Sequence, residues 1–237
     1  MSATGVLVTR PAGEADPLVE GLRRRGVDVR AVPTVALEPI VFDPPDFAAY
    51  DWVVVTSASG ARALLARAAV KPGPRWAAVG PVTARELGEL GVTADAVPGR
   101  ARGVEVAGAM ARVQPLPGRR VLLARASAAS GDLPTVLREA GAEVDEVAVY
   151  RTVEGPESSR GPLNQALADQ ALGTVVFASG SAVRGLLRLA EREPRRLLAV
   201  TIGPATTAVA REHGFRVAAE SEQASVEGLM EVIGRAA

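Results

Sequence analysis

One stretch of this chain decides its fold: Asp51-Trp-Val-Val-Val-Thr-Ser-Ala-Ser-Gly-Ala-Arg-Ala-Leu-Leu65, which returns 122 residues later as Gly173-Thr-Val-Val-Phe-Ala-Ser-Gly-Ser-Ala-Val-Arg-Gly-Leu-Leu187. Both copies consist of an apolar run, a Ser-x-Ser turn and an amphipathic segment. An arginine recurs in them as Arg62 and Arg184. Recurrence over this length indicates two copies of one structural unit.

Two further segments repeat in the same order. Val79-Gly-Pro-Val-Thr-Ala84 matches Ile202-Gly-Pro-Ala-Thr-Thr207. Nearer the start of each copy, Val6-Leu-Val-Thr-Arg10 matches Val121-Leu-Leu-Ala-Arg125. We therefore interpret the chain as a tandem duplication of a unit of about 115 to 120 residues, and its 237 residues suit two small domains.

Each unit alternates strand and helix signals. The helix patterns end at glycines, which are typical helix C-caps: Gly26, Gly91, Gly141 and Gly214. The short apolar runs between them have the character of strands buried on both faces: residues 6–9, 52–56, 76–79, 121–124, 174–178 and 198–202. This alternation predicts an α/β fold with parallel sheets and helices on both faces.

The linkers leave two topologies open. Val35-Ala-Leu-Glu-Pro39 and Tyr150-Arg-Thr-Val-Glu-Gly-Pro156 occupy equivalent places in the two units, and both run into proline, which favours extended backbone. Two consecutive domains would meet near Leu116-Pro117-Gly118. If the first strand and helix instead pack with the second half of unit two, the two extended stretches pair as a connector.

The composition excludes several functional classes. The apolar fraction is 48%, the charged fraction 23% and the net charge +0, as in a globular protein that does not bind nucleic acid. Aromatic residues make up 3%, too few for stacking platforms. The sequence has no cysteine, so thiol chemistry is excluded. No apolar run is long enough for a membrane helix, and we expect a cytoplasmic protein without a membrane partner.

Standard catalytic signatures are also missing. The sequence contains no Gly-x-Gly-x-x-Gly, no phosphate-binding Gly-x-x-x-x-Gly-Lys-Ser/Thr and no Gly-x-Ser-x-Gly. Its single histidine, His213, precedes Gly214 at a predicted helix end, where a cation suits the helix dipole. We therefore expect neither a metal site nor a hydrolytic triad.

Hydroxyl and glycine residues follow the predicted strands. Ligands of parallel α/β sheets bind at this edge, where helix N-termini offer free N–H groups to anions. The candidates here are Arg10, Thr56, Ser57, Thr83, Ser179, Ser181 and Thr206. The alternative is that these hydroxyls are ordinary helix N-caps.

Tyr150 stands apart from that set. It ends the predicted strand Val144-Asp-Glu-Val-Ala-Val-Tyr150 and enters the extended stretch. A phenol at this place can donate or relay a proton. The alternative is a tyrosine that only packs beside a linker.

The order and spacing of these motifs resemble the uroporphyrinogen-III synthase family. The resemblance rests on Val6-Leu-Val-Thr-Arg-Pro11, on the two Gly-Pro-x-Thr turns, on Gly141-Ala-Glu-Val-Asp-Glu-Val-Ala-Val-Tyr-Arg-Thr152 and on the ending Ser225-Val-Glu-Gly-Leu229. It covers nearly the whole chain. Each motif is weak alone, and the combination is specific.

The resemblance implies a particular topology. In this family the N-terminal strand and helix pack into the C-terminal domain, and a two-stranded linker joins two similar α/β domains. Carried onto this sequence, residues 1–36 and 156–237 form one discontinuous domain and residues 37–155 an inserted domain.

The resemblance also implies a reaction. Family members cyclise hydroxymethylbilane to uroporphyrinogen III with inversion of ring D and loss of water, without metal or organic cofactor. We expect the same substrate, no cofactor and a monomer. Both reacting partners belong to the substrate, which suits a chain with few catalytic groups.

Motif matching assigns roles within that reaction. Tyr150 corresponds to the proton donor for the leaving hydroxyl. Thr83, Thr206, Ser57 and Ser179 correspond to groups that bind carboxylates or pyrroles, with Arg10 as a further partner. The sequence departs from some relatives at Ala205, and at Leu198, where a lysine sometimes stands. The resemblance therefore does not carry a basic contact to Leu198, although Arg195 and Arg196 are near it in sequence.

A second functional hypothesis comes from another class. Two α/β lobes also describe receptors for small anions. A non-catalytic binding protein for a tetrapyrrole or another polycarboxylate would have the same sparse set of reactive residues.

Overall fold

The computed structural model describes residues 5–12, 15–68, 73–99, 103–129 and 132–236. The chain divides into two compact units, one of residues 1–36 with 153–237 and one of residues 37–152. It therefore leaves the first unit after residue 36 and returns to it after residue 152. Elements are numbered below in chain order.

A parallel five-stranded sheet forms the centre of the first unit. Its strands are β1 (Gly5–Val8), β2 (Val29–Ala31), β8 (Leu172–Phe177), β9 (Leu198–Thr201) and β10 (Arg216–Glu220). Their spatial order is β10-β9-β8-β1-β2. All four pairings between neighbours are parallel, so the carboxyl ends of these strands share one edge.

The second unit has a sheet of the same size. Its strands are β3 (Val35–Pro39), β4 (Trp52–Val55), β5 (Arg75–Ala78), β6 (Arg120–Ala126) and β7 (Glu143–Glu154), in the spatial order β3-β7-β6-β4-β5. The pairs β4–β5, β4–β6 and β6–β7 are parallel. The chain passes from one unit to the other within β3 and within β7.

Helices cover both faces of the first sheet. They are α1 (Pro17–Arg24), α6 (Arg160–Ala168), α7 (Gly180–Leu189), α8 (Pro204–Glu212) and α9 (Val226–Ala236). Alternate residues of β1 divide between the two faces, as a pleated strand requires: Val6 and Val8 pack with α1 and α9, and Leu7 packs with α6 and α7. Both faces are apolar, which explains the continuous apolar runs in the sequence.

The second unit repeats this layering. Its helices are α2 (Ala58–Leu65), α3 (Pro81–Glu89), α4 (Gly103–Val113) and α5 (Asp132–Glu139). Trp52 and Val54 of β4 pack with α4 and α5, and Val53 and Val55 pack with α2 and α3. A short 3₁₀ turn lies at Phe47–Ala49 in this unit, and two others lie at Glu157–Ser159 and Pro194–Arg196 in the first unit.

The predicted α/β class is confirmed, and the six predicted strands occur with ends shifted by one or two residues. Each predicted helix-ending glycine has a positive φ: 77° at Gly26, 81° at Gly91, 87° at Gly141 and 83° at Gly214. Within the described ranges, no helix has the length and apolar character that crossing a membrane requires.

Candidate active site

Ser57 and Tyr150 form the centre of the candidate site in the second unit. Ser57 follows β4 and caps α2, because its Oγ accepts a hydrogen bond from the Gly60 N–H at 3.0 Å. The Tyr150 Oη lies 3.1 Å from the same Ser57 Oγ. Tyr150 lies in β7 opposite Ala126 of β6, where the register shifts. Two residues that were predicted separately, 93 positions apart, are thus in direct contact.

Gly60 allows this contact. A Cβ at that position would lie 3.1 Å from the Ser57 Oγ and 3.6 Å from Cε1 of the Tyr150 ring. Either hydroxyl of the pair can donate to the other. When Ser57 donates, its oxygen keeps accepting from Gly60 and the Tyr150 proton is available to a ligand.

The two threonines predicted in this unit have different environments. Thr56 donates from its Oγ1 to the Ala124 carbonyl at 3.4 Å, and its backbone N–H reaches the same oxygen at 3.3 Å. Thr83 is buried in the first turn of α3, which starts at Gly80 and Pro81 without a side-chain cap. Among the described residues, no hydrogen bond joins either threonine side chain to Ser57 or Tyr150.

The first unit repeats the serine cap at the end of β8. Ser179 caps α7 by accepting from the Ala182 N–H at 3.2 Å. Ser181, in the first turn of α7, accepts from Nη2 of Arg184 at 3.2 Å. The structure therefore places Ser179 and Ser181 on the same helix start, with a guanidinium group beside them.

Arg184 is in turn held by Glu154 at the end of β7. Its Nε and Nη2 donate to Glu154 Oε1 at 2.9 and 2.7 Å. This hydrogen bonding, with further help from Ser181 and Arg188, lowers the pKa of the Glu154 carboxyl below its ordinary value. Glu154 was not among the residues predicted from the sequence. The recurrence of Arg62 as Arg184 was the available signal, because it marked the arginine in both repeats.

Thr206 occupies the same place in α8 that Thr83 occupies in α3. Gly203 and Pro204 start the helix, and the Thr206 N–H donates to the Gly203 carbonyl at 3.1 Å. The Thr206 side chain is buried. Its neighbour Thr207 pairs with Thr201 of β9, with 2.6 Å between the two hydroxyl oxygens, so the strand end is fixed to the helix start.

Arg10 has a structural partner that the sequence did not indicate. Its Nε donates to Asp16 Oδ2 at 2.7 Å. Asp16 is fully buried and also caps α1 by accepting from the Leu18 N–H at 2.8 Å. Arg10 therefore compensates a buried carboxylate at the end of β1, and only the remaining face of its guanidinium can serve a ligand.

Other groups do not add to the site. His213 is the C-cap of α8, as the helix-end pattern predicted. In the described part of the chain, no group of three or more His, Asp or Glu residues is arranged to hold a metal ion. The chemistry available at these strand ends is proton transfer by a phenol, together with hydrogen bonding and charge pairing to anions.

Comparison with known proteins identifies relatives over the whole chain. The family model described as Uroporphyrinogen-III synthase HemD matches residues 16–231. The porphyrin biosynthesis protein HemD of Ruminiclostridium josui is 30% identical over 98% of this chain and 49% of that protein, so this chain spans about half the length of that relative. The uroporphyrinogen-III synthase of Chlorobaculum parvum is 25% identical over 90% of this chain and 90% of that protein. The uroporphyrinogen-III synthase of Synechococcus elongatus is 28% identical over 95% of this chain and 92% of that protein.

Solved structures agree on the fold. The uroporphyrinogen-III synthetase of Helicobacter pylori matches with a TM-score of 0.68 at 17% identity, covering 99% of this chain and 100% of that chain. A mutant uroporphyrinogen III synthase of Thermus thermophilus matches with a TM-score of 0.61 at 20% identity, covering 99% of this chain and 98% of that chain. Since the family model extends over residues 16–231, which is most of the 237 residues, the chain belongs to the uroporphyrinogen-III synthase family.

Proposed function

We propose that this chain cyclises hydroxymethylbilane to uroporphyrinogen III, with inversion of ring D and loss of water. Family membership supports the reaction class. The observation that carries the proposal at the level of residues is the 3.1 Å contact between the Ser57 and Tyr150 hydroxyls. It places a phenol with an oriented hydrogen-bond partner at the carboxyl edge of a parallel sheet, where α/β proteins bind ligands.

Tyr150 is the proposed proton donor. Hydroxide is a poor leaving group, so the substrate hydroxyl needs a proton to leave as water. Its departure gives an electrophilic azafulvene, which the substituted carbon of ring D attacks to form a spiro intermediate. The spiro intermediate fragments and closes again with ring D inverted. The ring carbon that forms the last bond loses a proton, which restores the phenol.

Positioning supplies the rest of the catalysis in this proposal. Both reacting carbons belong to one substrate, so the protein has to favour the inverted closure over the direct one. The substrate's acetate and propionate carboxylates suit hydroxyls, helix N-termini and arginines. The proposed binding groups are Arg10, Thr56, Ser57, Thr83, Ser179, Ser181 and Thr206. The reaction requires no cofactor, and we propose that the chain acts as a monomer.

We also infer that the two units arose by tandem duplication with exchange of the N-terminal strand and helix, and that a two-stranded linker joins them. The proposed domains are residues 1–36 with 156–237 and residues 37–155. The matching helix starts support this inference: Ser57 and Ser179 each cap the helix after a central strand, and Gly-Pro-x-Thr begins the helix after the next strand in each unit.

The isomer of the product tests the proposed function. Hydroxymethylbilane closes spontaneously to the type I ring, so catalysis with ring inversion is visible as type III product. We expect type III product over many turnovers with catalytic amounts of the protein. A product identical to that of the control without protein would contradict the proposal and favour a non-catalytic binding protein.

A further inference from the structure

The cluster of Glu154, Ser181, Arg184 and Arg188 in the first unit contains two arginines that are not among the proposed binding groups. Two arginines meet one carboxylate there: Arg184 Nη2 lies 2.7 Å from Glu154 Oε1, and Arg188 Nη2 lies 3.4 Å from Glu154 Oε2. Ser181 lies in the first turn of α7 (Gly180–Leu189), Arg184 in the middle of the helix and Arg188 in its last turn.

The two partners of the main ion pair differ in exposure. The Arg184 side chain is 41% exposed and the Glu154 side chain is 16% exposed. The Arg184–Glu154 pair therefore presents a cation to solvent and holds it on a less exposed carboxylate.

Two of the three guanidinium nitrogens of Arg184 are engaged within the cluster. Nε and Nη2 donate to Glu154, and Nη2 also donates to Ser181. Nη1 lies 3.4 Å from the position that a Cβ of Gly180 would occupy, and Val209 Cγ2 lies 3.0 Å from the same position. Glycine at residue 180 therefore leaves room for both the guanidinium and the Val209 side chain.

Ser181 helps to hold Arg184 and Glu154 together. Its oxygen accepts from Arg184 Nη2 at 3.2 Å, and its hydroxyl hydrogen-bonds the Glu154 carboxylate, which helps to lower the pKa of that carboxyl. Arg184 Nη1 makes none of the hydrogen bonds described for this cluster, and a ligand carboxylate can accept from it.

We propose that Arg184 is a substrate-binding residue for an acetate or propionate carboxylate, and that Glu154 is its positioning residue. The proposal rests on the proposed function for the identity of the substrate. It does not depend on turnover, since the binding of any tetrapyrrole polycarboxylate would use the same donors. Arg188 supplies a matched control, because it contacts the same carboxylate but is 65% exposed and lies one turn further along α7.

Steady-state kinetics with hydroxymethylbilane test the proposal on R184A, R184K, E154Q and R188A. Loss of a hydrogen-bonded charge pair weakens binding by about tenfold or more, so R184A should raise KM by that factor and leave kcat within about twofold. R184K retains the positive charge without the paired donors of a guanidinium, so its KM should lie between those of wild type and R184A. E154Q should raise KM less than R184A does, and the KM of R188A should equal that of wild type. An equal KM for R184A, R188A and wild type would overturn the proposal.

A binding measurement separates this proposal from the proposed function. Uroporphyrin III, the stable oxidised form of the product, carries the same carboxylates and can be titrated by fluorescence without turnover. We expect R184A to bind it about tenfold more weakly than R188A does. Wild type that yields only type I ring but binds uroporphyrin III through Arg184 would overturn the proposed function alone. Equal binding by R184A and R188A, with type III product from wild type, would overturn this inference alone. If R184A fails to fold, the comparison of R184K with R188A decides in the same way.

Discussion

A single hydrogen-bonded chain connects backbone, hydroxyl and phenol in the second unit. The Gly60 N–H donates to Ser57 at 3.0 Å, and Ser57 contacts Tyr150 at 3.1 Å. The backbone N–H occupies one lone pair of the serine oxygen, so the serine hydrogen is free to turn to the tyrosine. In that arrangement the Tyr150 hydrogen stays available for donation, as the proposed role of proton donor requires.

Removal of the phenol oxygen should reduce turnover sharply. We expect Y150F to lower kcat by about 100-fold, because general-acid catalysis contributes at least that much. S57A should lower kcat by about tenfold, because it removes the one hydrogen bond that Ser57 makes to the Tyr150 phenol. Y50F is the matched control, since Tyr50 is the only other tyrosine of the chain and lies beside Arg120. Wild-type kcat in Y150F would remove Tyr150 from the mechanism.

Glu154 should make stability depend on pH. Its pKa in the folded protein lies below the ordinary value of 4.5, chiefly because Arg184 hydrogen-bonds its charged form. A lowered folded pKa stabilises the fold above the unfolded pKa, and this stabilisation disappears as the pH falls through the folded pKa. E154Q should therefore unfold more easily than wild type at pH 7, by about 1 kcal/mol or less, and the difference should shrink below pH 4.5. Urea unfolding of wild type and E154Q at several pH values measures this difference in unfolding free energy. A difference that does not vary with pH would contradict a lowered pKa of Glu154 in the folded protein.

At the scale of elements, close packing fixes α7 against two strand ends. The Gly155 N–H donates to the Thr34 carbonyl at 2.9 Å, and the Thr34 hydroxyl donates to the Ala182 carbonyl of α7 at 2.8 Å. A Cβ at Gly185 would lie 1.9 Å from the Thr34 carbonyl oxygen and 2.9 Å from the Gly155 nitrogen. Glycine is therefore required where the helix crosses these strand ends.

This packing gives a stability prediction. We expect G185A to destabilise the protein by about 3 kcal/mol, because the added methyl group has to push backbone atoms apart. The control is G161A in α6 of the same unit, where a Cβ would have nothing within 4 Å, and where alanine should stabilise the helix by up to about 1 kcal/mol. Urea denaturation midpoints measure both effects. If G185A proved as stable as G161A, the close approach of α7 would be wrong.

Elements were more predictable than the contacts between them. The six strands predicted from apolar runs and the helix-ending glycines follow from local patterns of apolar residues and turn residues, which act within a few positions. The ion pair of Arg10 with Asp16 was missed because a buried aspartate has no local signature. The pair of Glu154 with Arg184 was missed because it spans 30 positions and exists only when β7 meets α7.

At the scale of the whole molecule, the repeats were the informative feature. Duplication predicted matching strand ends, and the serine caps at Ser57 and Ser179 do match. What the repeats could not predict is how the partners of the two repeated segments differ. Arg62 pairs with Glu86 of α3, whereas its counterpart Arg184 pairs with Glu154 of β7. The same repeated motif therefore has different electrostatic partners in the two units, because those partners lie outside it.

Ring inversion is the central claim for the whole molecule, and the isomer composition of the product tests it most directly. Hydroxymethylbilane is supplied in large excess over wild-type protein, the product is oxidised, and the type I and type III uroporphyrins are separated by chromatography. We predict that type III predominates with wild type and that its share falls in Y150F as spontaneous closure competes. Type I alone, in the amount formed without protein, would contradict it.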